Sequence, residues 1–146
     1  MKVFIGADHN GFELKNQLVA YLKSKNIDVE DMGAYELDPL DDFPVFAKRV
    51  ATQVQKNYED DRGIVLCGSG IGVAVAANRF KHIRCALGFD PTQIQHGREN
   101  DHINMLALPS DYVSLEQAQQ YVDIFLETPI KPEEKYLRRS TQLDQD

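Results

Sequence analysis

Gly63-Ile64-Val65-Leu66-Cys67 is a near-continuous apolar run, and Gly68-Ser69-Gly70-Ile71-Gly72 follows it without a break. Such a run reads as a parallel strand covered on both faces. The glycine turn leads into Val73 to Phe80, whose small residues read as a helix packed close against the strand. Strand, glycine turn and helix in immediate succession commit the chain to an α/β architecture.

The rest of the sequence repeats the alternation. Val3 to Ile5 reads as a first strand ending at Gly6, followed by helical spacing of Phe12, Leu14, Leu18 and Leu22 up to Ser24. Ile27 to Met32 reads as a second, less buried strand. The segment from Gly33 to Asp42, rich in acids, reads as a loop, and Phe43 to Tyr58 as a helix. Beyond the centre come a strand over Ile83 to Phe89, a helix over Pro91 to Asn100 and a strand over Ile103 to Leu108. A capping box, Ser114 with Gln117, opens a helix to Glu127, and Glu133 to Leu143 forms a charged terminal helix. The expected fold is one doubly wound, Rossmann-like domain over residues 1–146. It has a five-stranded parallel sheet, helices on both faces, and residues 131–146 as a terminal helical arm.

Charge narrows the function. Sixteen Lys and Arg stand against 23 Asp and Glu, a net charge of −7. An acidic chain repels a nucleic-acid backbone, so nucleic acid is not expected as a partner. A small anion remains compatible through a local basic pocket. No apolar stretch reaches the ~18 residues of a membrane span, and two cysteines are too few for a secreted disulfide scaffold. A soluble, cytoplasmic protein is expected.

Ligands in such folds sit beyond the carboxyl ends of the strands. There the glycine turn lets backbone N–H groups approach a ligand, and the start of a helix favours negative charge. The same field favours a thiolate at Cys67, making proton transfer available. The bland alternative is a small buried hydrophobe on a turn. Three familiar readings of the loop fail. Gly68, Gly70 and Gly72 are spaced two apart, unlike a dinucleotide fingerprint; Val73-Ala74 replaces the Lys-Ser/Thr of a Walker loop; and Val73 occupies the Arg place of a cysteine phosphatase.

Asp8-His9 closes the first strand; a helix cap accounts for Asp8 but leaves His9 unexplained. Asn100, Asp101 and His102 precede the fifth strand, where a solvated turn is the competing reading. Cys85, inside the fourth strand, reads as core. Lys135 and Arg139, four apart on one helix face, suit a phosphate clamp or an ordinary solvated face. Cysteine and histidine spacings match no structural zinc site, so no metal is expected.

Asp8-His9-Asn10-Gly11-Phe12-Glu13-Leu14-Lys15 resembles the opening of ribose-5-phosphate isomerase B, which shares a family with the galactose-6-phosphate isomerase subunits. Asp42-Phe43-Pro44, Gly63 to Gly72, Ala76-Ala77-Asn78 and Ile83-Arg84 continue the resemblance in order. It implies reversible aldose–ketose isomerisation of a phosphorylated sugar, ribose 5-phosphate first, without metal or organic cofactor. Cys67 becomes the base that moves a proton between C1 and C2 through an enediolate. Ser69 handles a hydroxyl proton, Asp8 binds sugar hydroxyls and His9 contacts the substrate. Gly68, Gly70, Ile71 and Gly72 supply the oxyanion donors. The family site lies between subunits, so the resemblance also implies a homodimer or dimer of dimers.

The resemblance breaks at particular residues. The family's ring-opening His aligns with Asn100 and its substrate-binding Asn with Asp101, leaving His102 as the candidate replacement. A family Arg aligns with Asp111, and the first clamp Arg is Lys135, with Arg139 matching the second. Lys keeps the charge without bidentate recognition. These changes motivate two alternatives: isomerisation of another sugar phosphate, such as a hexose 6-phosphate, or sugar-phosphate binding without turnover.

Overall fold

A computed structural model describes residues 1–145. Its strands are Val3–Ala7 (β1), Val29–Asp31 (β2), Arg62–Cys67 (β3), Cys85–Leu87 (β4) and Met105–Pro109 (β5). All pair in parallel, in the order β2-β1-β3-β5-β4. The helices are Phe12–Ser24 (α1), Phe43–Gln55 (α2), Ile71–Ala77 (α3), Pro91–Asp101 (α4), Leu115–Glu127 (α5) and Glu134–Leu143 (α6). This is the Rossmann-like α/β domain that the alternation predicts. The winding reverses between β1 and β3, which places a crevice at their carboxyl ends.

The period of two along each strand divides the core. Val3, Ile5, Ile64, Leu66, Leu106 and Leu108 face the layer of α1, α4 and α5. Phe4, Val65, Cys67, Met105 and Ala107 face α2 and α3. On that second face Gly6 and Gly63 lie beneath α2, where a Cβ on either would come within 2.9 Å of the Val50 side chain. Glycine there lets the helix rest on the sheet backbone.

Both edge strands are shorter than the sequence predicts, because an edge residue has a ladder partner on one side only. β2 covers Val29–Asp31 rather than Ile27 to Met32, and β4 covers Cys85–Leu87 rather than Ile83 to Phe89. On the outer side of β4 the Asn78 side chain takes the place of a neighbouring strand. Its amide accepts from the Cys85 N–H and donates to the Cys85 carbonyl, both at 2.8 Å. Cys85, expected in the core, is half-buried, and burial pushes its thiol up. On the other side, fully buried Lys15 reaches from α1 to Asp31 of β2 at 2.6 Å.

The terminal arm folds back on its own chain. Lys131 pairs with Glu99 at 2.9 Å, and Asp144, closing α6, with Arg84 at 3.2 Å. Lys135 and Arg139 are exposed. Residue 146 of the expected arm lies outside the described residues. Among those described, no helix is long and apolar enough to cross a membrane.

Candidate active site

The reversal point sets Asp8 beside the end of β3. A Cβ on Gly11 would come within 2.7 Å of Leu66 Cβ, so the start of α1 presses directly on β3. The Asp8 N–H donates to the Leu66 carbonyl at 3.3 Å. Asp8 Oδ1 accepts from the N–H groups of Asn10 at 2.9 Å and Gly11 at 3.2 Å. Asp8 is not the cap of α1, which is Gly11 with no side-chain bond; its carboxylate instead closes the turn ahead of the helix, and that fixes it in the crevice. Burial, opposed by these N–H groups, raises its pKa, with the Asp41 charge adding to the rise.

His9 is tied to the loop before α2. Asp41 Oδ1 accepts from the His9 N–H at 2.9 Å and lies 2.7 Å from His9 Nδ1. That bond raises the imidazole pKa above 6.5, favouring the charged ring. The Asp41 side chain is only 10% exposed, and its Oδ2 is buried without a hydrogen bond among the described residues. Ligand atoms of Asp8, His9 and Asp41 lie within 4.8 Å of one another, a spacing that would also accept a cation.

Cys67 ends β3 and is 5% exposed. The loop beyond it is held tightly. Gly70 is left-handed at φ 72°, and a Cβ there would come within 2.6 Å of Leu87. A Cβ on Gly72 would strike the Phe43 ring at 2.7 Å, and one on Gly68 would meet Asp111 Oδ2 at the same distance. Phe43 and Asp111 therefore lie directly against the loop. The β5–α5 turn is bonded to it, with the Ser110 N–H donating to the Cys67 carbonyl at 2.9 Å and the Asp111 N–H to the Gly68 carbonyl at 3.0 Å. Ser69 and Ile71 are exposed, and Ser69 Oγ accepts from the Ile71 N–H at 3.2 Å.

The structure thus gathers Asp8, His9, Cys67 and the Gly68-to-Gly72 loop. It does not bring Asn100, Asp101, His102, Lys135 or Arg139 to them. These belong to the amino edge, separated from the crevice by the length of β5, roughly 15 Å at 3.3 Å per residue. His102 differs from its expected role in a specific way. It closes α4 in the left-handed conformation, is 5% exposed, and its Nε2 lies 3.1 Å from the Lys131 carbonyl oxygen. The ring pins the arm to α4 instead of facing outward, and burial lowers its pKa. Asn100 Oδ1 is buried without a hydrogen bond among the described residues, and Asp101 is exposed.

Asp41 is the member of this cluster that sequence reasoning missed. It stands in an acidic loop with Asp38 and Asp42, where one more carboxylate looks like solvated surface. Only the fold shows that this loop returns to His9.

The sequence model of the Ribose/Galactose Isomerase family matches residues 3–143. A probable ribose-5-phosphate isomerase B of Mycoplasma pneumoniae is 40% identical over 125 residues, 86% of this chain and 82% of that protein. Ribose-5-phosphate isomerase B of Escherichia coli is 38% identical over 86% of this chain and 83% of its own. A crystal structure of the Mycoplasma genitalium enzyme with bound ribulose 5-phosphate superposes with a TM-score of 0.95 and 36% identity, covering 98% of this chain and 93% of the other. The Thermotoga maritima enzyme superposes at 0.91 with 39% identity, over 98% and 97% of the two chains. By sequence and by fold together, the chain belongs to the ribose/galactose isomerase family and is an isomerase.

Proposed function

We propose that the chain interconverts an aldose phosphate and its ketose, ribose 5-phosphate and ribulose 5-phosphate first, by proton transfer at Cys67. The observation that carries this reading is Cys67 at the carboxyl end of β3, under its glycine loop and beside the strand end that holds Asp8. In the forward direction the Cys67 thiolate takes the proton from C2 of the open-chain aldose. The electron pair moves into an enediolate, the thiol returns the proton to C1, and a hydroxyl proton passes from O2 to O1. Ser69, exposed over the loop, serves that hydroxyl transfer. Asp8, fixed by two N–H groups, accepts hydrogen bonds from sugar hydroxyls. The N–H groups of Gly68, Gly70, Ile71 and Gly72 stabilise the developing oxyanion. Both electrons stay within the sugar, so the balance requires no redox cofactor.

His9 meets the substrate as a cation paired to Asp41. The other cations come from a second copy of the chain, which makes the working unit a homodimer or a dimer of dimers. Asn100, Asp101, Lys135 and Arg139 lie at the far edge of their own sheet, and Asn100 holds a buried acceptor with no partner among the described residues. A second copy laid edge to edge brings them to Cys67. The substrate is a small phosphorylated sugar and the compartment the cytoplasm, where reducing conditions keep Cys67 and Cys85 as the free thiols found here.

A second reading, isomerisation of another sugar phosphate, is favoured by Asp111, whose carboxylate lies against Gly68 at the mouth of the oxyanion loop. An activity panel of ribose 5-phosphate and several hexose 6-phosphates, beside Cys67→Ala, decides between them. Turnover of ribose 5-phosphate that vanishes in the variant supports the first reading, and turnover confined to a hexose phosphate supports the second. Turnover that survives Cys67→Ala removes the proposed base.

A further inference from the structure

Beneath α6, on the amino edge of the sheet, lies a cavity of about 450 Å³ that the isomerase reading leaves unused. Arg62, Arg84 and Arg98 all line it. Arg98 is 5% exposed, and its protein acceptors are the Ile103 and Thr128 carbonyls. Arg62 likewise donates to the Glu59 and Asp61 carbonyls. Neither guanidinium forms an ion pair among the described residues. Glu59 stands at the rim, exposed, and Asp144 is the carboxylate that enters, bonded to Arg84 Nη1 at 3.2 Å and to the His82 N–H at 3.1 Å.

Gathering three guanidinium groups in a half-closed space is costly. Burial first, then the charges of Arg62 and Arg84, push the Arg98 pKa down to about 10. Buried cations are ordinarily matched by an anion, and a guanidinium offers five donors in a fork that fits a tetrahedral oxyanion. Asp144 is a partial match, supplied by the last turn of the chain's own arm.

We propose that this cavity is a second ligand site, which takes a small phosphate-class oxyanion on Arg62, Arg84 and Arg98, with Asp144 as its built-in competitor. The site is separate from the Cys67 crevice and does not rest on the isomerase reading. Leu137, Ser140, Thr141 and Asp144 form the face of α6 that lines the cavity, and Lys135 and Arg139 lie on the opposite face. An oxyanion that displaces Asp144 from Arg84 therefore loosens the arm that carries those cations.

The test uses the full chain, inorganic phosphate as the probe, and ¹H–¹⁵N spectra that resolve the arginine Nε–H signals. Saturable shifts of the Arg62, Arg84 and Arg98 signals are expected, together with shifts of the α6 amides. Arg62→Gln, a half-buried position beside the cavity mouth, is expected to weaken binding at least tenfold while leaving the rest of the spectrum intact. Asp144→Asn is expected to tighten it severalfold by removing the competitor. A sugar phosphate added in place of inorganic phosphate distinguishes an ester ligand from the free anion, since the preferred one saturates the same three signals at lower concentration. Unmoved arginine signals, or affinity unchanged in Arg62→Gln, overturn the site. Affinity unchanged in Asp144→Asn overturns the competitor.

Discussion

Asp8, His9, Asp41 and Asp111 crowd the carboxyl edge of the sheet, whereas Arg62, Arg84, Arg98 and His102 crowd the amino edge. The two groups hold their protons in opposite ways. Asp8, mainly through burial, and His9, mainly through Asp41, are both shifted up. The three arginines and His102 are all shifted down, burial first in each case. Under the proposed function a phosphorylated substrate draws its proton-transfer groups from the carboxyl edge and needs cations besides. On that proposal the cations are Lys135 and Arg139 of a second copy, since each chain holds its own a strand's length from Cys67, whereas the three arginines of the amino edge form a site of their own.

Four experiments sharpen or break this contrast. The largest effect belongs to the carboxyl edge, where Cys67→Ala should lower kcat by about 10³ or more, with urea unfolding little changed. The amino edge should answer in stability instead. Asn104 is 1% exposed and stitches Arg84, His82 and Tyr58 together through backbone bonds of 2.8, 2.8 and 3.3 Å. Asn104→Ala should cost about 3 kcal/mol in urea denaturation, since several buried backbone groups lose their partner. If instead it leaves stability intact and lowers kcat, the division of labour between the edges fails.

Asp111→Arg should raise kcat/KM for sugar phosphates about tenfold at low ionic strength, and the gain should shrink as salt rises, because Asp111 is exposed. The smallest effect concerns His9. Its raised pKa means that its pair with Asp41 stabilises the fold fully below pH 6.5, with the contribution lost as pH rises through the folded value. In Asp41→Asn the imidazole midpoint, followed by NMR, should fall toward 6.5, and this pH dependence should flatten. A midpoint that stays put would show that Asp41 is not the group that charges His9.

What the sequence showed clearly was whatever depends on neighbours along the chain. The β3 run, its glycine turn and α3 form one uninterrupted local signal, and Asp8 follows its strand directly. The nearness of Cys67 and Asp8 was therefore legible, and the reversal of winding between β1 and β3 accounts for it. Asp41 was not, because it meets His9 across 32 residues through a loop whose composition only says solvent. Nor was the arginine cavity, whose cations come from β3, the start of β4 and α4 and whose carboxylate comes from the tail. His102 shows the reverse case. Nearness in sequence to Asn100 suggested a replacement acid, but the left-handed turn that ends α4 buries its ring against the arm.

The side-chain amide of Asn78 on β4 has a consequence for how the molecule behaves in crowded solution. A bare outer strand is a template on which a foreign strand can grow, the first step toward fibrils. Asn78 occupies the N–H and carbonyl of Cys85 together. A strand arriving from outside finds that rung already filled, and the Gln93 amide takes the Leu87 carbonyl at 2.8 Å, so two amide side chains guard a margin that many folds protect with charge, proline or a covering loop.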